Sequence, residues 1–279
     1  MTELIPFHNI YRPTGVSMEE AEDLVLLHGW GLHSIVWDDV MPGLLERFRV
    51  TVVDLPGMGQ SPLPSGNYDL DFVVAQVRRV LPERCHLMGW SLGGLVALAL
   101  AAREPERIAS LTTVATTPRF VAAEDWPAAM APEILAKFAE VLEEDQEGTL
   151  VRFLALNCKD ADTMREDVRK LRDILYFCGL PAGRALRGGL EILRDTDLRD
   201  ELSGLTMPVQ MIFGEQDNIV PAAVLPEIEH IAPDVELALL KGLAHVPHVS
   251  APEVFLRAVI DFRERHFQES HSRDSHDRR

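Results

Sequence analysis

The sequence predicts an α/β fold with a mostly parallel central sheet flanked by helices and a helical lid insertion. In the first half of the chain, short apolar runs alternate with stretches of helical composition. The same alternation returns near the C-terminus, while the segment between the two parts lacks strand-like runs. Strand–helix alternation implies right-handed crossovers and a mostly parallel sheet. A chain of 279 residues is long enough for one large core with an insertion.

Six short apolar runs, each bounded by Gly, Pro or polar residues, are predicted to be buried strands. Stretches of helical composition lie between them at Leu70–Val80 and Gly93–Arg103, and a final helix is expected over Pro252–His266. The predicted strands are Asp23–Leu27, Arg49–Val53, Cys85–Met88, Ile108–Val114, Val209–Phe213 and Val235–Leu240.

The middle of the chain is predicted to be a helical lid over the sheet. Apolar residues recur at helical spacing in Ile134–Leu142 and Leu150–Leu156, and several prolines and glycines interrupt the region. The predicted division is therefore a core of residues 1–117 and 200–268, a lid of residues 118–199, and a tail of residues 269–279. The tail is polar and free of aromatic residues, so we expect it to be disordered and its two histidines, His271 and His276, to be solvated.

The composition is that of a soluble globular protein, with 47% hydrophobic and 25% charged residues. No apolar run reaches the roughly 18 residues that a membrane-spanning helix needs, and the N-terminus lacks the features of a signal peptide. The three cysteines are too few and too scattered for a disulfide framework or a zinc site. A net charge of -17 argues against nucleic acid as a partner. We expect a cytoplasmic monomer that binds neither membranes nor nucleic acid.

The segment Gly89-Trp90-Ser91-Leu92-Gly93 matches the pattern G-x-S-x-G. It directly follows the predicted strand CHLM and directly precedes GLVALALAA, a helix rich in small residues. In this strand–turn–helix setting the pattern is a nucleophile elbow, the sharp turn that exposes the catalytic serine of α/β-hydrolases. We therefore predict that Ser91 is a nucleophile at the start of a helix whose dipole favours negative charge. The alternative is an ordinary turn with a serine that caps the helix.

A serine hydroxyl is a weak nucleophile, so it needs a base and a carboxylate that orients the base. In α/β-hydrolases the acid follows the serine along the chain and the histidine comes last. Asp217 lies just past the strand Val209–Phe213 and is the predicted acid. Glu215 is the nearest alternative, and Asp195 and Asp197 are more distant ones.

The predicted base is His245, which follows the strand Val235–Leu240. The competing candidate is His248, three residues further on. We favour His245 because the spacing Gly242-x-x-His245 places it nearer the end of the strand.

Hydrolysis of an acyl group also needs two donors that stabilise the oxyanion. One is the backbone N–H of the residue after the nucleophile, here Leu92, and the second comes from the loop after an early strand. That loop is HGWG, in which Trp30 would supply the N–H and His28 is interpreted as a structural hydrogen-bonding residue. The later segment DLPGMGQS is neither a phosphate-binding loop nor a dinucleotide fingerprint, so we interpret it as a structural turn. The sequence indicates no cofactor and no metal site.

These motifs resemble α/β-hydrolases, and further segments resemble one family within them, the pimeloyl-acyl-carrier-protein methyl ester esterases of biotin synthesis. The similarity runs through nearly the whole chain except the tail. The lid segments are its specific part, because the core motifs occur in hydrolases of many substrates. The segments that carry the resemblance are LHGWGLHSIVWD, GWSLGGLVALALA, EDWP, RFLAL, GGLEIL and DLR.

The resemblance implies hydrolysis of the methyl ester of a pimeloyl chain on acyl carrier protein, with release of methanol. It implies the catalytic residues Ser91, Asp217 and His245. It also implies substrate-binding residues, namely Trp30, Ser91, Leu92, Phe153, Leu154, Ala155, Leu156, Asn157 and His245.

The resemblance further implies that lid arginines hold the acidic carrier, at the positions Arg152, Arg165 and Arg169. Gly148 stands where relatives can have a fourth arginine, so this chain departs from the family there. The residues themselves agree in part, because Arg165 and Arg169 are four apart and share one helix face. The segment between Thr163 and Leu190 contains six basic and three acidic residues, so it is net positive in a chain of net charge -17.

Several other functions remain open from the sequence. The nearest is a broad carboxylesterase for short acyl esters that needs no carrier. The same fold could also hydrolyse C–C bonds or amides, or serve as a ligand receptor without turnover. A haloalkane dehalogenase is disfavoured, because that chemistry resembles this family but uses Asp where Ser91 stands.

Overall fold

Seven strands form one sheet within residues 4–267, the part of the chain that the computed structural model describes. The sheet order is β1-β3-β2-β4-β5-β6-β7, and only β1 runs antiparallel to its neighbour. The predicted α/β-hydrolase fold with a mostly parallel sheet is therefore confirmed. The strands are β1 His8–Tyr11, β2 Glu22–Leu27, β3 Phe48–Val53, β4 Cys85–Trp90, β5 Ile108–Val114, β6 Val209–Gly214 and β7 Glu236–Leu240.

The helices alternate with the strands in the core and follow one another without strands between β5 and β6. The short 3-10 helices cover Ser34–Trp37, Pro105–Arg107 and Ala222–Val224. The α-helices of the described residues are α1 Met41–Leu44, α2 Leu70–Arg78, α3 Leu92–Arg103, α4 Pro132–Glu144, α5 Gln146–Asn157, α6 Met164–Phe177, α7 Gly183–Asp195, α8 Arg199–Ser203, α9 Leu225–Ile231, α10 Pro247–Ser250 and α11 Pro252–Phe267.

The centre of the core is the pair β4 and α3. Every residue of β4 is buried, because strands of a parallel sheet are covered on both faces. In α3 the ten residues from Leu92 to Ala101 are all buried, and most of them are Gly, Ala or Val, so the helix can approach the sheet closely. Because β4, β6 and β7 run in the same direction, their carboxyl ends lie at one edge of the sheet, where ligands bind in folds of this class.

The helices α4 to α7 lie between β5 and β6, within the predicted lid. Charged side chains join the start of this insertion to its end. Arg199 pairs with Asp125 and Asp197 at 2.9 and 2.7 Å, and its guanidinium lies 5.4 Å from the ring centroid of Trp126. Arg119 pairs with Asp197 at 2.8 Å. The division into core and lid remains a prediction, and the predicted tail with His271 and His276 lies outside the described residues.

Helices long and apolar enough to cross a membrane are absent from residues 4–267.

Candidate active site

Ser91 occupies the sharp turn between β4 and α3. Its backbone has φ 54° and ψ -118°, a conformation that non-glycine residues rarely adopt. The turn is fixed by hydrogen bonds on both sides. The Ser91 N–H donates to the carbonyl of Val114 at 2.9 Å, and the Ser91 carbonyl accepts from the N–H of Gly94 at 2.8 Å. The strained backbone is thus held by the adjacent strand and by the first turn of the helix, as in a nucleophile elbow.

The two glycines of the motif are required by close backbone contacts. A Cβ at Gly89 would lie 2.2 Å from the carbonyl oxygen of Gly93. A Cβ at Gly93 would lie 2.4 Å from the carbonyl oxygen of His28. A larger residue at Gly89 would push α3 away from β4, and a larger residue at Gly93 would separate the elbow from the loop after β2. The motif therefore sets the distance between Ser91 and that loop.

Asp217 and His245 form a fully buried pair. Nδ1 of His245 donates to Oδ2 of Asp217 at 2.7 Å, and neither side chain is exposed. Oδ1 of Asp217 accepts from the N–H groups of Ile219 and Val220 at 2.8 and 2.9 Å, so the carboxylate cannot rotate freely. An imidazole that donates through Nδ1 has Nε2 available as an acceptor in its neutral form. Nε2 of His245 has no hydrogen-bond partner among the described residues.

The alternative acids are engaged elsewhere. Oε2 of Glu215 accepts from the N–H of Gly242 at 3.0 Å. Asp195 pairs with Arg194 at 2.6 Å, and Asp197 belongs to the arginine network at the base of the insertion. Among the four acids considered from the sequence, only Asp217 hydrogen-bonds to a histidine.

The alternative base, His248, has no carboxylate partner within residues 4–267. Its ring lies in an aromatic cluster, with centroid distances of 4.4 Å to Trp37, 5.1 Å to Trp90 and 5.9 Å to Phe255. Burial, with smaller contributions from His245 and Lys170, lowers the pKa of His248 to about 3. An imidazole with such a low pKa and no orienting carboxylate is a poor general base.

The loop after β2 lies against the elbow. Leu27 at the end of β2 pairs with Gly89 on β4, so the two segments leave the sheet side by side. Leu92 is the first residue of α3, where backbone N–H groups have no helical partner. Nε1 of Trp30 donates to the carbonyl of Leu186 on α7 at 2.8 Å, and the Trp30 side chain is fully buried. This arrangement is compatible with oxyanion donors at Trp30 and Leu92, whose role remains a prediction.

His28 holds two backbone segments together. Its Nε2 accepts from the N–H of Leu55 at 2.8 Å, so its Nδ1 donates to the carbonyl of Gly29, also at 2.8 Å. Burial lowers the pKa of His28 to about 4. Asp54 fixes the adjoining turn, with its two carboxylate oxygens accepting from the N–H groups of Ser34 and Gln60 at 2.8 Å each. Both side chains therefore stabilise the conformation of the loops around the elbow.

The stretch Phe153–Asn157 on α5 covers the site. The Phe153 ring lies 4.8 Å from that of Trp30, edge to face. The carbonyl of Asn157 accepts from the N–H of His245 at 3.0 Å, and Oδ1 of Asn157 is buried with no hydrogen-bond partner among the described residues. The stretch thus contacts both the predicted oxyanion loop and the predicted base. Phe153, Leu154 and Asn157 are buried, while Ala155 and Leu156 are half-buried.

The three predicted carrier-binding arginines lie on two helices. Arg152 on α5 is exposed and lies 3.5 Å from the carboxylate of Asp145. Arg165 and Arg169 are exposed on α6 and form no ion pair in the described part of the chain. Gly148 follows the helix-capping Asp145, whose Oδ1 accepts from its N–H at 2.8 Å.

The site is closed in this structure. The exposed fraction is 1% for Ser91 and 0% for both His245 and Trp30. Contacts from α5 and α7 with Trp30 and His245 cover the site. No group of three or more His, Cys, Asp or Glu side chains in residues 4–267 is placed to hold a metal ion.

Trp90 is a residue whose importance the sequence did not reveal. Its Nε1 donates to the carbonyl of His245 at 2.8 Å, and the two rings lie 5.7 Å apart. The residue before the nucleophile therefore fixes the loop that carries the predicted base. The pattern G-x-S-x-G leaves this position open, and an aromatic residue inside a glycine-rich turn was the one available signal.

Comparison with known proteins identifies the family. The model of the alpha/beta hydrolase fold family matches residues 24–252. The pimeloyl-[acyl-carrier protein] methyl ester esterase of Aeromonas hydrophila is 43% identical over 244 residues, which are 87% of this chain and 96% of that protein. The protein of the same name from Klebsiella pneumoniae strain 342 is 42% identical over 240 residues, covering 85% of this chain and 91% of its own.

Solved structures support the same fold. A bromoperoxidase from Bacillus anthracis superposes with a TM-score of 0.81 at 21% identity, covering 92% of this chain and 94% of its own. An enol-lactonase from Burkholderia xenovorans LB400 superposes with a TM-score of 0.78 at 23% identity, covering 92% and 95%. At such identities the likeness establishes the fold alone, whereas the relatives above 40% identity establish the family. The chain belongs to the alpha/beta hydrolase fold family and, within it, to the pimeloyl-[acyl-carrier protein] methyl ester esterases, which are carboxylic ester hydrolases.

Proposed function

We propose that this protein hydrolyses the methyl ester of pimeloyl-acyl carrier protein and so releases methanol and the free carboxylate used in biotin synthesis. The observation that carries the proposal is the buried Asp217–His245 pair, which the hydrogen bond from Trp90 to the His245 carbonyl joins to the strained Ser91 turn, in a chain whose relatives bear the name of this activity.

In the proposed first half of the reaction, Nε2 of His245 takes the proton of the Ser91 hydroxyl as Oγ attacks the ester carbonyl. The carbonyl oxygen becomes an oxyanion that accepts hydrogen bonds from the N–H groups of Trp30 and Leu92. Collapse of this intermediate breaks the bond to the methoxy group, which leaves as methanol with the proton from His245. The product is an acyl-enzyme at Ser91.

In the second half, His245 takes a proton from water as the water oxygen attacks the acyl-enzyme carbonyl. The same two N–H groups stabilise the second oxyanion. Collapse breaks the bond to Oγ of Ser91, which recovers its proton from His245, and the carboxylate product leaves. Asp217 keeps the proton of His245 on Nδ1 and stabilises the imidazolium in both halves.

The helices α4 to α7 act as the lid in this proposal. Substrate reaches Ser91 after α5 and α7 move away from Trp30, and the stretch Phe153–Asn157 then contacts the acyl chain. Buried aromatic and aliphatic side chains there provide an apolar surface, and Oδ1 of Asn157 provides a hydrogen-bond acceptor. Arg152, Arg165 and Arg169 hold the acidic carrier on the outer surface of the lid.

The proposal extends to the setting of the reaction. We expect a monomer in the cytoplasm that acts without nucleic acid or membrane. A net charge of -17 disfavours binding to phosphate backbones, and three free cysteines suit a reducing compartment. Sedimentation of the purified protein would test the monomer, and a concentration-dependent dimer would contradict it.

The deciding experiment compares turnover of pimeloyl-acyl-carrier-protein methyl ester with turnover of p-nitrophenyl acetate. Wild type should prefer the carrier-bound ester by a large factor in kcat/KM, and Ser91→Ala should lose both activities. Fast turnover of the small ester without a carrier preference would identify a general carboxylesterase instead. A wild type that neither turns over an ester nor reacts with a fluorophosphonate probe at Ser91 would identify a receptor without catalysis.

The role of the lid arginines is tested by Arg165→Ala combined with Arg169→Ala. This double variant should raise KM for the carrier-bound ester and leave p-nitrophenyl acetate turnover close to wild type. The matched control is Arg84→Ala with Arg257→Ala, which removes two exposed cations outside the lid. Equal losses on both substrates in the lid variant would point to misfolding of the lid rather than to carrier binding.

A further inference from the structure

One exposed face of α6 carries a row of cations that ends in aromatic residues. Arg165, Arg169, Arg172 and Tyr176 follow one another at spacings of four, three and four residues, so they lie on one face of the helix. All four are exposed. The row spans about 16 Å along the helix axis. Phe177, the last residue of α6, follows directly and lies about 100° further round the helix, at the end of this row. We call these five residues the α6 surface (Arg165, Arg169, Arg172, Tyr176 and Phe177).

The cations of the α6 surface are available for a partner. Arg165, Arg169 and Arg172 form no ion pair within residues 4–267. In contrast, Lys170 on the same helix is already paired with Asp39. Three guanidinium groups that form no ion pair, in a chain of net charge -17, make a local positive region that attracts an acidic protein.

The end of the row is unusually apolar for a protein surface. Phe177 is 74% exposed, more than any other large hydrophobic side chain of the described residues. Tyr176 and Leu180 beside it are 43% and 42% exposed. The Tyr176 hydroxyl donates to Glu147 on α5 at 2.6 Å, so its ring is held in place. Exposed apolar groups of this kind, bordered by charged residues, are typical of protein interaction sites.

The helix that bears this surface is fixed to the core at three points. Nε2 of His33 donates to the carbonyl of Ile174 at 2.7 Å, the Ser250 hydroxyl donates to Asp167 at 2.6 Å, and Lys170 pairs with Asp39. His33 belongs to the same loop as Trp30, three residues away. A partner on the α6 surface is therefore held at a fixed position relative to the active site, even when other lid helices move.

We propose that Tyr176 and Phe177 form an apolar anchor for the acidic carrier protein, and that Arg172 extends the arginine row to this anchor. The inference rests on the proposed function, because it assumes that the ester arrives on an acidic carrier. Acidic side chains of the carrier contact the arginines, and an apolar side chain of the carrier packs on Phe177. Aromatic and arginine side chains are the residues that most often dominate binding at such interfaces.

The test is the variant Phe177→Ala, assayed with pimeloyl-acyl-carrier-protein methyl ester. KM should rise roughly 5- to 30-fold while kcat changes little, the effect expected for loss of one anchoring side chain. Phe177→Leu should restore most of the affinity, because it keeps an apolar side chain. The matched control is Val254→Ala on α11, which truncates a side chain that is 48% exposed outside the lid and should leave KM unchanged.

The variant Arg172→Ala tests the extension of the row. KM for the carrier-bound ester should rise, and its dependence on salt concentration should become weaker than in wild type, because one charge contact is lost. Turnover of p-nitrophenyl acetate and a thermal melt report whether the active site and the fold are intact.

The outcomes separate the anchor from the proposed function. An unchanged KM in Phe177→Ala, together with a raised KM in Arg165→Ala with Arg169→Ala, would overturn the anchor and leave the carrier substrate standing. A wild type with no preference for the carrier-bound ester would overturn both. A raised KM in Phe177→Ala that Phe177→Leu reverses would support both.

Discussion

Nε1 of Trp90 lies 2.8 Å from the carbonyl oxygen of His245, so the residue before the nucleophile is hydrogen-bonded to the predicted base. The Trp90 ring also lies against Gly29, where an added Cβ would be 2.7 Å from it. One side chain therefore contacts the Ser91 turn, the loop that carries Trp30 (the predicted oxyanion loop) and the loop that carries His245 (the histidine loop). The relative positions of these three segments depend on it.

We expect Trp90→Phe to lower kcat by roughly tenfold, because the histidine loop loses its hydrogen bond while the ring contacts remain. Stability should fall by about 0.5–1.5 kcal/mol, the usual value for one neutral hydrogen bond. The control is Trp126→Phe, which loses a bond of the same kind, from Nε1 to the Arg119 carbonyl at 3.0 Å. Urea denaturation should show a similar loss of stability in both variants. Steady-state kinetics should show the lower kcat only in Trp90→Phe. Equal kcat values in Trp90→Phe and Trp126→Phe would contradict the positioning role of Trp90.

Asp217→Asn should reduce kcat by about 10⁴-fold, because an amide cannot stabilise the imidazolium and can hold the wrong tautomer. The side-chain volume is nearly unchanged, and an oxygen can still accept from Ile219 and Val220. The folded structure should therefore persist. The matched control is Glu215→Gln, which alters the neighbouring acid that contacts Gly242. A loss of kcat in Glu215→Gln as large as that in Asp217→Asn would contradict the assignment of Asp217 as the acid.

Two buried histidines should make the protein sensitive to mild acid. Burial lowers the pKa of His248 to about 3 and that of His28 to about 4, from an ordinary value of 6.5. Because the folded-state pKa is the lower one, the unfolded chain takes up protons first as the pH falls below 6.5. Stability is therefore full above that pH and is lost by about 1.4 kcal/mol per pH unit for each histidine as the pH falls toward the folded value.

The variant His248→Phe isolates one of these two contributions. Both ring nitrogens of His248 lack a hydrogen-bond partner in the described residues, so phenylalanine should be tolerated in the aromatic cluster at pH 7. Between pH 7 and pH 5 the variant should lose about 2 kcal/mol less stability than wild type. Urea denaturation at the two pH values measures the difference. His230→Gln, which removes an exposed imidazole, is the control. Equal losses of stability between pH 7 and pH 5 in wild type and His248→Phe would show that His248 does not cause the acid sensitivity.

Gly189→Ala should impair catalysis through the oxyanion loop. A Cβ there would lie 2.6 Å from Cδ1 of Trp30, too close for any carbon contact, so either α7 or Trp30 must shift. We expect kcat to fall by roughly tenfold or more, since small displacements of catalytic groups are costly. Gly204→Ala is the control, because its Cβ would meet nothing nearer than 3.5 Å. An unchanged kcat in Gly189→Ala would show that Trp30 accommodates the change.

The strands of the core were predictable because each one is a short apolar run between turn residues. All six predicted strands are present, with ends within two residues of the prediction. β1 was not predicted. It has only four residues, HNIY, its last three are exposed, and it is held by pairing with β3 rather than by burial of its own side chains. Nothing local distinguishes such an edge strand from a loop.

The candidate site was predictable where its residues follow strand ends. Ser91, Asp217 and His245 each lie just past a strand, and parallel strands bring such positions to one edge. The choice between Asp217 and Glu215 depends on which carboxylate faces the imidazole, and spacing along the chain does not contain that information. The hydrogen bond from Trp90 joins residues 155 apart and was not predictable from any local pattern.

The enclosure of Ser91 has a consequence for its reactivity. In the proposed mechanism, a phosphonate reaches this side chain, which is 1% exposed, only in molecules in which α5 and α7 have separated. When opening and closing are fast, the observed labelling rate is the intrinsic rate multiplied by the opening equilibrium constant. The labelling rate of Ser91 therefore reports that equilibrium constant. Titrating carrier protein during labelling would measure, in free-energy units, how far the proposed docking on α6 shifts this equilibrium.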